Sequence, residues 1–277
     1  MVLYPNAKIN IGLNVVEKRS DGYHNIETVF YPIDLLDELK VELSTSDVVY
    51  RLFSKGIKIG GNTDNNLVIK ALQLIKTKHE IPPLAIFLKK NIPFGAGLGG
   101  GSADAAFMLK LLNNMFNLKI STEQLEVMAA KIGADCPVFI QNKPVFATGI
   151  GNEFTPLEFS LKGYWLLLIK PDIYVSTPLA YAGVTPSKPK SSLIDLVKEP
   201  ISEWRNLIFN DFEKSVFLKH PEIEHIKENL YKSGAKYASM SGSGSSVYGI
   251  FEKPLNLTNR DFPFDVNIKF DFWEIPL

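Results

Sequence analysis

Apolar positions along the chain follow two rhythms that alternate several times. "KINIGLNVVEK" (8–18) alternates apolar and polar side chains, and "ETVFYPI" (27–33) and "LKVELS" (39–44) alternate or are rich in β-branched residues, so each predicts a strand. "DNNLVIKALQLIKTKHE" (64–80) changes to helical spacing through Leu67, Ala71, Leu74 and Ile75, and "LAIFL" (84–88) returns to a strand. A further helix starts at "STEQ", where Ser121 and Gln124 have capping-box spacing, and stops at Gly133. After about residue 155 the pattern restarts with the strand-like "YWLLLIK" (164–170). Short helices follow, "NDFE" (210–213) offering one a cap, and "SGAKYASMSGSGSSVYGIF" (233–251) reads as two strands around a glycine–serine turn. Strands and helices in an order other than regular β-α-β alternation predict an α+β chain of two domains, 1–155 and 156–277.

One segment breaks both rhythms. "IPFGAGLGGGSADAA" (92–106) places Gly95, Gly97, Gly99, Gly100 and Gly101 within seven positions. Glycine used as filler costs chain entropy, so such a cluster signals positive φ at successive residues or a ligand pressed against the backbone. Ser102 can cap a helix carrying Ala103, Asp104 and Ala105 in its first turn, with Ala106, Met108, Leu109 and Leu112 continuing it. A loop feeding a helix N-terminus favours an anion, above all phosphate, whereas the alternative, a flexible linker, is not ordinarily flanked by a strand and an amphipathic helix. Gly95, Gly97 and Gly100 satisfy G-x-G-x-x-G, but "KKNIP" (89–93) separates them from the strand and Pro93 interrupts the tight turn of a dinucleotide fold. The ending Gly101-Ser102-Ala103 lacks the lysine of a Walker loop.

Composition narrows the partners. Thirty basic and thirty acidic residues cancel, leaving no global field to recruit nucleic acid or an anionic membrane. No apolar run reaches the ~20 residues of a membrane span, and "MVLYPNAKIN" lacks signal-peptide character, so a cytoplasmic protein is expected. The single cysteine, Cys136, excludes an internal disulfide and a cysteine metal cluster and reads as a buried small hydrophobe rather than a nucleophile. His220 and His225, five apart with Pro221 between them, are poorly spaced for zinc and read as solvated.

Four segments together carry a resemblance. "AKIN" (7–10), "DGYHNIETVF" (21–30), "GAGLGGGSADAA" (95–106) and "GADCPVF" (133–139), followed by "SMSGSGSSVYGIF" (239–251), resemble the galactokinase, homoserine kinase, mevalonate kinase and phosphomevalonate kinase superfamily over nearly the whole chain. Within it they are similar to the branch acting on a cytidine diphosphate-linked sugar alcohol. The resemblance implies a two-domain fold, with an N-terminal ATP-binding domain of the ribosomal protein S5 domain 2-like type, a C-terminal ferredoxin-like domain and a cleft between them. It also implies ATP and Mg2+, the metal having no nameable protein ligand. On the ATP side it implies Pro93, Gly95, Ala96, Gly97, Leu98, Gly99, Gly100, Gly101, Ser102 and Ala103, flanked by Asn66 and Lys90. The family loop usually carries a second serine where this chain has Ala103.

For chemistry the resemblance selects Asp135 as base, a residue that could equally cap a helix before Pro137. Lys8 and Asn10 share a strand face, since side chains repeat every two residues. By resemblance Lys8 pairs with Asp135 at the acceptor hydroxyl, against the alternative of a structural ion pair. "DGYH" is a tight-turn signature, and by resemblance His24 reads the cytosine edge while Tyr23 stacks on the base. A second ring comes from "VSTPLAY" (175–181), Tyr181 being preferred to Tyr174. Asn10, Gly242 and Gly244 complete the expected substrate side. The rivals are a sister kinase for homoserine or a mevalonate-type acid, which would call for Arg or Lys in place of the aromatics, and a catalytically inactive nucleotide-binding regulator.

Overall fold

The computed structural model describes residues 1–45, 48–58, 63–257 and 268–277. The chain forms two compact units, both discontinuous in sequence. The first takes Met1–Ala7, Leu35–Phe94 and Gly99–Lys143; the second takes Lys8–Asp34, Gly95–Leu98 and Pro144–Leu277.

In the first unit a four-stranded sheet runs in the order Val2–Leu3, Glu38–Leu43, Leu84–Lys90, Tyr50–Gly56. Its neighbours are antiparallel except the last pair, where Tyr50 faces Leu84 in parallel register. Alternation sets the faces: Leu84, Ile86 and Leu88 are buried while Ala85, Phe87 and Lys89 are not. Helix Leu67–Lys76 begins where the Asn66 side chain accepts from the Val68 amide at 3.0 Å, and it buries Val68, Ile69, Ala71, Leu72 and Ile75. It packs on helix Gly100–Met115. Each such aliphatic side chain removed from water is worth about 1.5–3 kcal/mol. Helix Thr122–Ala130 starts with the expected capping box of Ser121 and Gln124.

The second unit holds two four-stranded sheets. One is ordered Asn6–Lys18, His24–Leu36, Val145–Thr148, Glu153–Pro156, the first two strands lying mostly in this unit. The other is antiparallel, in the order Tyr237–Met240, Val247–Phe251, Trp165–Pro171, Phe270–Pro276. Counted along the chain from Trp165 this is order 4-1-3-2, that of a ferredoxin-like sheet. Helix Pro221–Lys232 turns Ile223, Ile226 and Leu230 inward against its strands. The unit's core joins Leu13, Val15 and Ile26 to Leu167, Ile169, Phe212, Val216 and Val247.

The "NDFE" cap works in a divided way. Asn210 Oδ1 accepts from the Phe212 amide at 3.0 Å at the head of helix Phe212–Lys219, whereas Asp211 accepts from the Val15 amide at 2.7 Å. Burial raises the Asp211 carboxyl above its ordinary range, against the pull of that amide. Among the described residues no helix is long and apolar enough to cross a membrane.

Candidate active site

Lys8 is the best-defined polar group of the second unit. It is only 3% exposed, and Nζ donates to Asn10 Oδ1 at 2.5 Å and to the Gly97 carbonyl at 3.0 Å. The ammonium lies 4.8 Å from the centre of the Phe30 ring. Asn10 is oriented in turn: its Nδ2 donates to Thr28 Oγ1 at 2.9 Å, and Thr28 donates to the Gly12 carbonyl at 2.6 Å. The shared face expected for Lys8 and Asn10 therefore exists. Thr28 and Ser241 were not among the expected residues. Ser241 Oγ accepts from the Asn10 amide at 3.2 Å and donates to the Gly97 carbonyl at 2.9 Å, so one carbonyl of the glycine loop receives both Lys8 and Ser241. The Tyr248 hydroxyl donates to the Asn10 carbonyl at 2.8 Å, and Asn210 Nδ2 donates to the Met240 and Gly242 carbonyls at 2.9 and 2.8 Å. Spacing along "SMSGSG" marked the turn but could not single out which hydroxyl holds it.

The glycines of the loop divide by physical cause. Gly95, Gly97 and Gly99 adopt φ of 63°, 76° and 71°, where side chains are disfavoured. A methyl group on Gly97 would also lie 1.9 Å from the Ser241 carbonyl oxygen. Gly100 has ordinary φ but packs so closely that its methyl would meet Ile92 Cγ2 at 2.7 Å. Gly101 has neither constraint, its nearest neighbour being Leu67 Cδ1 at 3.6 Å. Among the described residues nothing requires Gly101 to be bare. Pro93, Ala96, Leu98 and Ala103 are buried, so only their backbone is available to a ligand. Gly242 and Gly244, expected on the substrate side, are buried as well: Gly242 fits against Asn10 and Gly97, and Gly244 against Met240.

Several first-unit residues differ from expectation. Helix Gly100–Met115 starts two residues before Ser102, with left-handed Gly99 as its N-cap and no side-chain cap. Bare glycines can enter the helix without a capping oxygen, and the Ser102 hydroxyl instead favours the Cys136 thiolate. Asp135 does not cap: helix Val138–Gln141 has Pro137 in that position, without a side-chain bond. Cys136 is buried, and burial pushes its thiol up to about 11 against the pull of Ser102. It should resist iodoacetamide at pH 8 in the folded protein and react on unfolding, as mass spectrometry would record. Asn66 is a helix cap rather than a solvated side chain.

Lys90, expected on the ATP side, has its ammonium buried and paired with Asp37 and, at 2.6 Å, with Asp104 Oδ2. Asp37 Oδ1 also accepts the amides of Asn91 and Ile92 at 2.6 and 2.9 Å.

The aromatic residues converge differently from expectation too. His24 stacks on Tyr181 with ring centroids 4.7 Å apart and 19° between planes, and Tyr181 meets Phe212 edge-on at 4.7 Å. Tyr23 is 62% exposed and Tyr174 71% exposed, the latter beside Gly95. The structure thus brings His24, not Tyr23, to Tyr181.

A bare loop feeding a 16-residue helix, a buried lysine fixed to that loop and a ferredoxin-like sheet define a phosphoryl-transfer enzyme of the GHMP kinase class. Family models agree: GHMP kinases N terminal domain matches residues 66–143 and GHMP kinases C terminal matches residues 192–258. The chain is 59% identical over 260 residues to 4-diphosphocytidyl-2-C-methyl-D-erythritol kinase of Parabacteroides distasonis, covering 94% of this chain and 95% of that one. With the same-named Bacteroides fragilis protein it shares 56% over 263 residues, covering 95% and 96%. A crystal structure of 4-(cytidine 5'-diphospho)-2C-methyl-D-erythritol kinase superimposes with a TM-score of 0.79 at 29% identity, covering all of both chains. Homoserine kinase from Cytophaga hutchinsonii, at 19% identity and TM-score 0.69 over 99% of this chain and 95% of that one, shares the fold. The chain belongs to the 4-diphosphocytidyl-2-C-methyl-D-erythritol kinase family of GHMP kinases.

Proposed function

We propose that this kinase transfers the γ-phosphoryl group of ATP to the 2-hydroxyl of 4-diphosphocytidyl-2-C-methyl-D-erythritol in the non-mevalonate route to isoprenoids, in the cytoplasm. The observation that carries the site assignment is the double clamp of Lys8 and Ser241 on the Gly97 carbonyl, which ties a buried cation to a glycine loop. Phosphoryl transfer needs positioning, charge neutralisation and a base, with little covalent chemistry from the protein. The helix end at Gly99–Ser102 offers unpaired amides for phosphate oxygens. Asp135 takes the hydroxyl proton, and Lys8 steadies the forming alkoxide. Residues 1–155 and 156–277 are read as the two functional halves of the sequence, while the compact units interleave across that boundary.

Mg2+ would be carried in by the nucleotide. Mg2+ in such sites is held mainly by phosphate oxygens and water, with one or two carboxylates at most. When bound it would neutralise phosphate charge.

Cytosine recognition is assigned to His24 with Tyr181. Their mutual stack places a hydrogen-bonding ring against an aromatic face. His24→Ala should weaken the cytidine-containing substrate while leaving ATP binding intact, calorimetry with each ligand being the check. A loss confined to ATP would instead favour a sister kinase. The function itself is tested by incubating the protein with ATP, Mg2+ and alcohols with and without a cytidine diphosphate group. Phosphorylation of the cytidylated alcohol alone is expected.

A further inference from the structure

Three ionisable side chains of the first unit have no part in the chemistry proposed above, yet lie beside its phosphate-binding helix end. Asp37, Lys90 and Asp104 are at most 3% exposed, and Lys90 Nζ touches both carboxylates. Two negative groups around one positive one leave a net charge of −1 in a buried place, which is costly unless a proton neutralises it. The two carboxylates are not equivalent. Asp37 accepts two backbone amides in addition to Lys90. Asp104 takes Lys90 on Oδ2 and lies against Asp37, accepts no backbone amide among the described residues, and has its Oδ1 buried without a hydrogen-bond partner among them. The proton therefore belongs on Asp104. Consistently, burial drives the Asp104 carboxyl up to about 8, with Lys90 pulling it down and the Asp37 charge pushing it further up.

Among the described residues, Lys90 and Asp37 are the charges that act on Asp104. Lys90 comes from the strand Leu84–Lys90 and Asp37 from the end of His24–Leu36. The buried residues of the elements packed against the helix are apolar: Val68, Ile69, Ala71, Leu72 and Ile75; Leu39 and Val41; Leu125, Met128 and Ala129; and Val138, Phe139 and Ile140. The group reaches the helix end directly: Lys90 Nζ is 3.4 Å from where a methyl group on Gly100 would be. A buried net negative charge there opposes an incoming polyphosphate, and the neutral form does not.

We propose that Asp104 is a proton-carrying positioning residue whose buried group with Lys90 and Asp37 holds the start of helix Gly100–Met115 and takes up a proton as the nucleotide phosphates bind. The inference rests on the ATP reading above, and its test separates the two. Calorimetry of Mg2+-ATP binding near pH 8, in buffers of different ionisation enthalpy, should show uptake of roughly a few tenths of a proton per nucleotide. Affinity for ATP should weaken about tenfold from near pH 7 to near pH 9.5. Asp104→Asn, neutral at every pH, should remove most of that dependence while binding ATP as the wild type does near pH 7. A purely structural role would alter stability but neither proton count nor pH profile. Binding with no net proton uptake, or an Asp104→Asn protein with the wild-type pH profile, overturns the proposal. Absence of any ATP binding overturns the nucleotide reading on which it stands. The wild-type proton count decides the matter even if the variant does not fold.

Discussion

Asp135→Asn lowers the single-turnover rate of phosphoryl transfer by ~10²- to 10⁴-fold, the range of lost general-base help, while both substrates still bind. The substitution spares the neighbouring helix for a local reason. Asp135 is not the cap of Val138–Gln141, so exchanging carboxylate for amide removes no helix cap. What changes is proton affinity: an amide of the same shape cannot accept the hydroxyl proton as a useful base. Lys8→Met should also be damaging, because it empties a buried ammonium position bonded to Asn10 and Gly97. In the Asp135→Asn background the lysine change should cost much less, since groups that act as a unit are not additive. Single-turnover rates of the four proteins decide this. Strictly multiplicative losses, or an Asp135→Asn protein at the wild-type rate, would sink the pair.

Gly97→Ala should destabilise the fold by at least about 2–3 kcal/mol and abolish ATP-dependent turnover. Two terms add. A φ of 76° strains an alanine, and its methyl would enter the Ser241 carbonyl, a backbone atom that no rotamer change can move aside. Ser241 and Gly97 must part, which breaks the Ser241–Gly97 bond and displaces the carbonyl that also receives Lys8. Gly101→Ala is the matched control. It occupies a helical position with only Leu67 nearby, so its thermal midpoint should hold or rise, by up to ~1 kcal/mol of added stability, while its affinity for ATP falls. Equal midpoints for the two variants in differential scanning calorimetry would refute the separation of conformational from ligand-imposed glycines.

What the sequence revealed depended on how local the cause was. Capping of Thr122–Ala130 needs only Ser121 and Gln124, and it was legible outright. The shared face of Lys8 and Asn10 follows from strand geometry alone. The burial of Lys90 was not legible, because it is decided by Asp37 and Asp104, 53 and 14 residues away. Ser102 failed as a cap because glycines can begin a helix without one, and propensity reasoning starts a helix at the first good capping side chain. Strand Phe270–Pro276 alternates in "FDFWEIP" but carries no motif, and its pairing with Trp165–Pro171 fixes it only in three dimensions. Tyr50–Gly56 is an edge strand with exposed Arg51, Phe53, Ser54 and Lys55, so its apolar rhythm is weak. Tyr23 was expected to be the stacking ring and His24 the edge reader, and only the position of Tyr181 shows that His24 is the ring it stacks on.

Because the second unit gathers residues 8–34 and 95–98 with the chain from Pro144 onward, the polypeptide cannot be severed near residue 155 into two self-sufficient pieces. The amino-terminal piece would display Leu13, Val15 and Ile26 without Leu167, Phe212 and Val247 to cover them, and Asn10 would lose both Ser241 and Tyr248. Two such fragments would be sticky and inert apart, yet each carries half of a matching surface. The enzyme is thereby a natural candidate for a split reporter, in which kinase activity returns only when fused partners bring the fragments together.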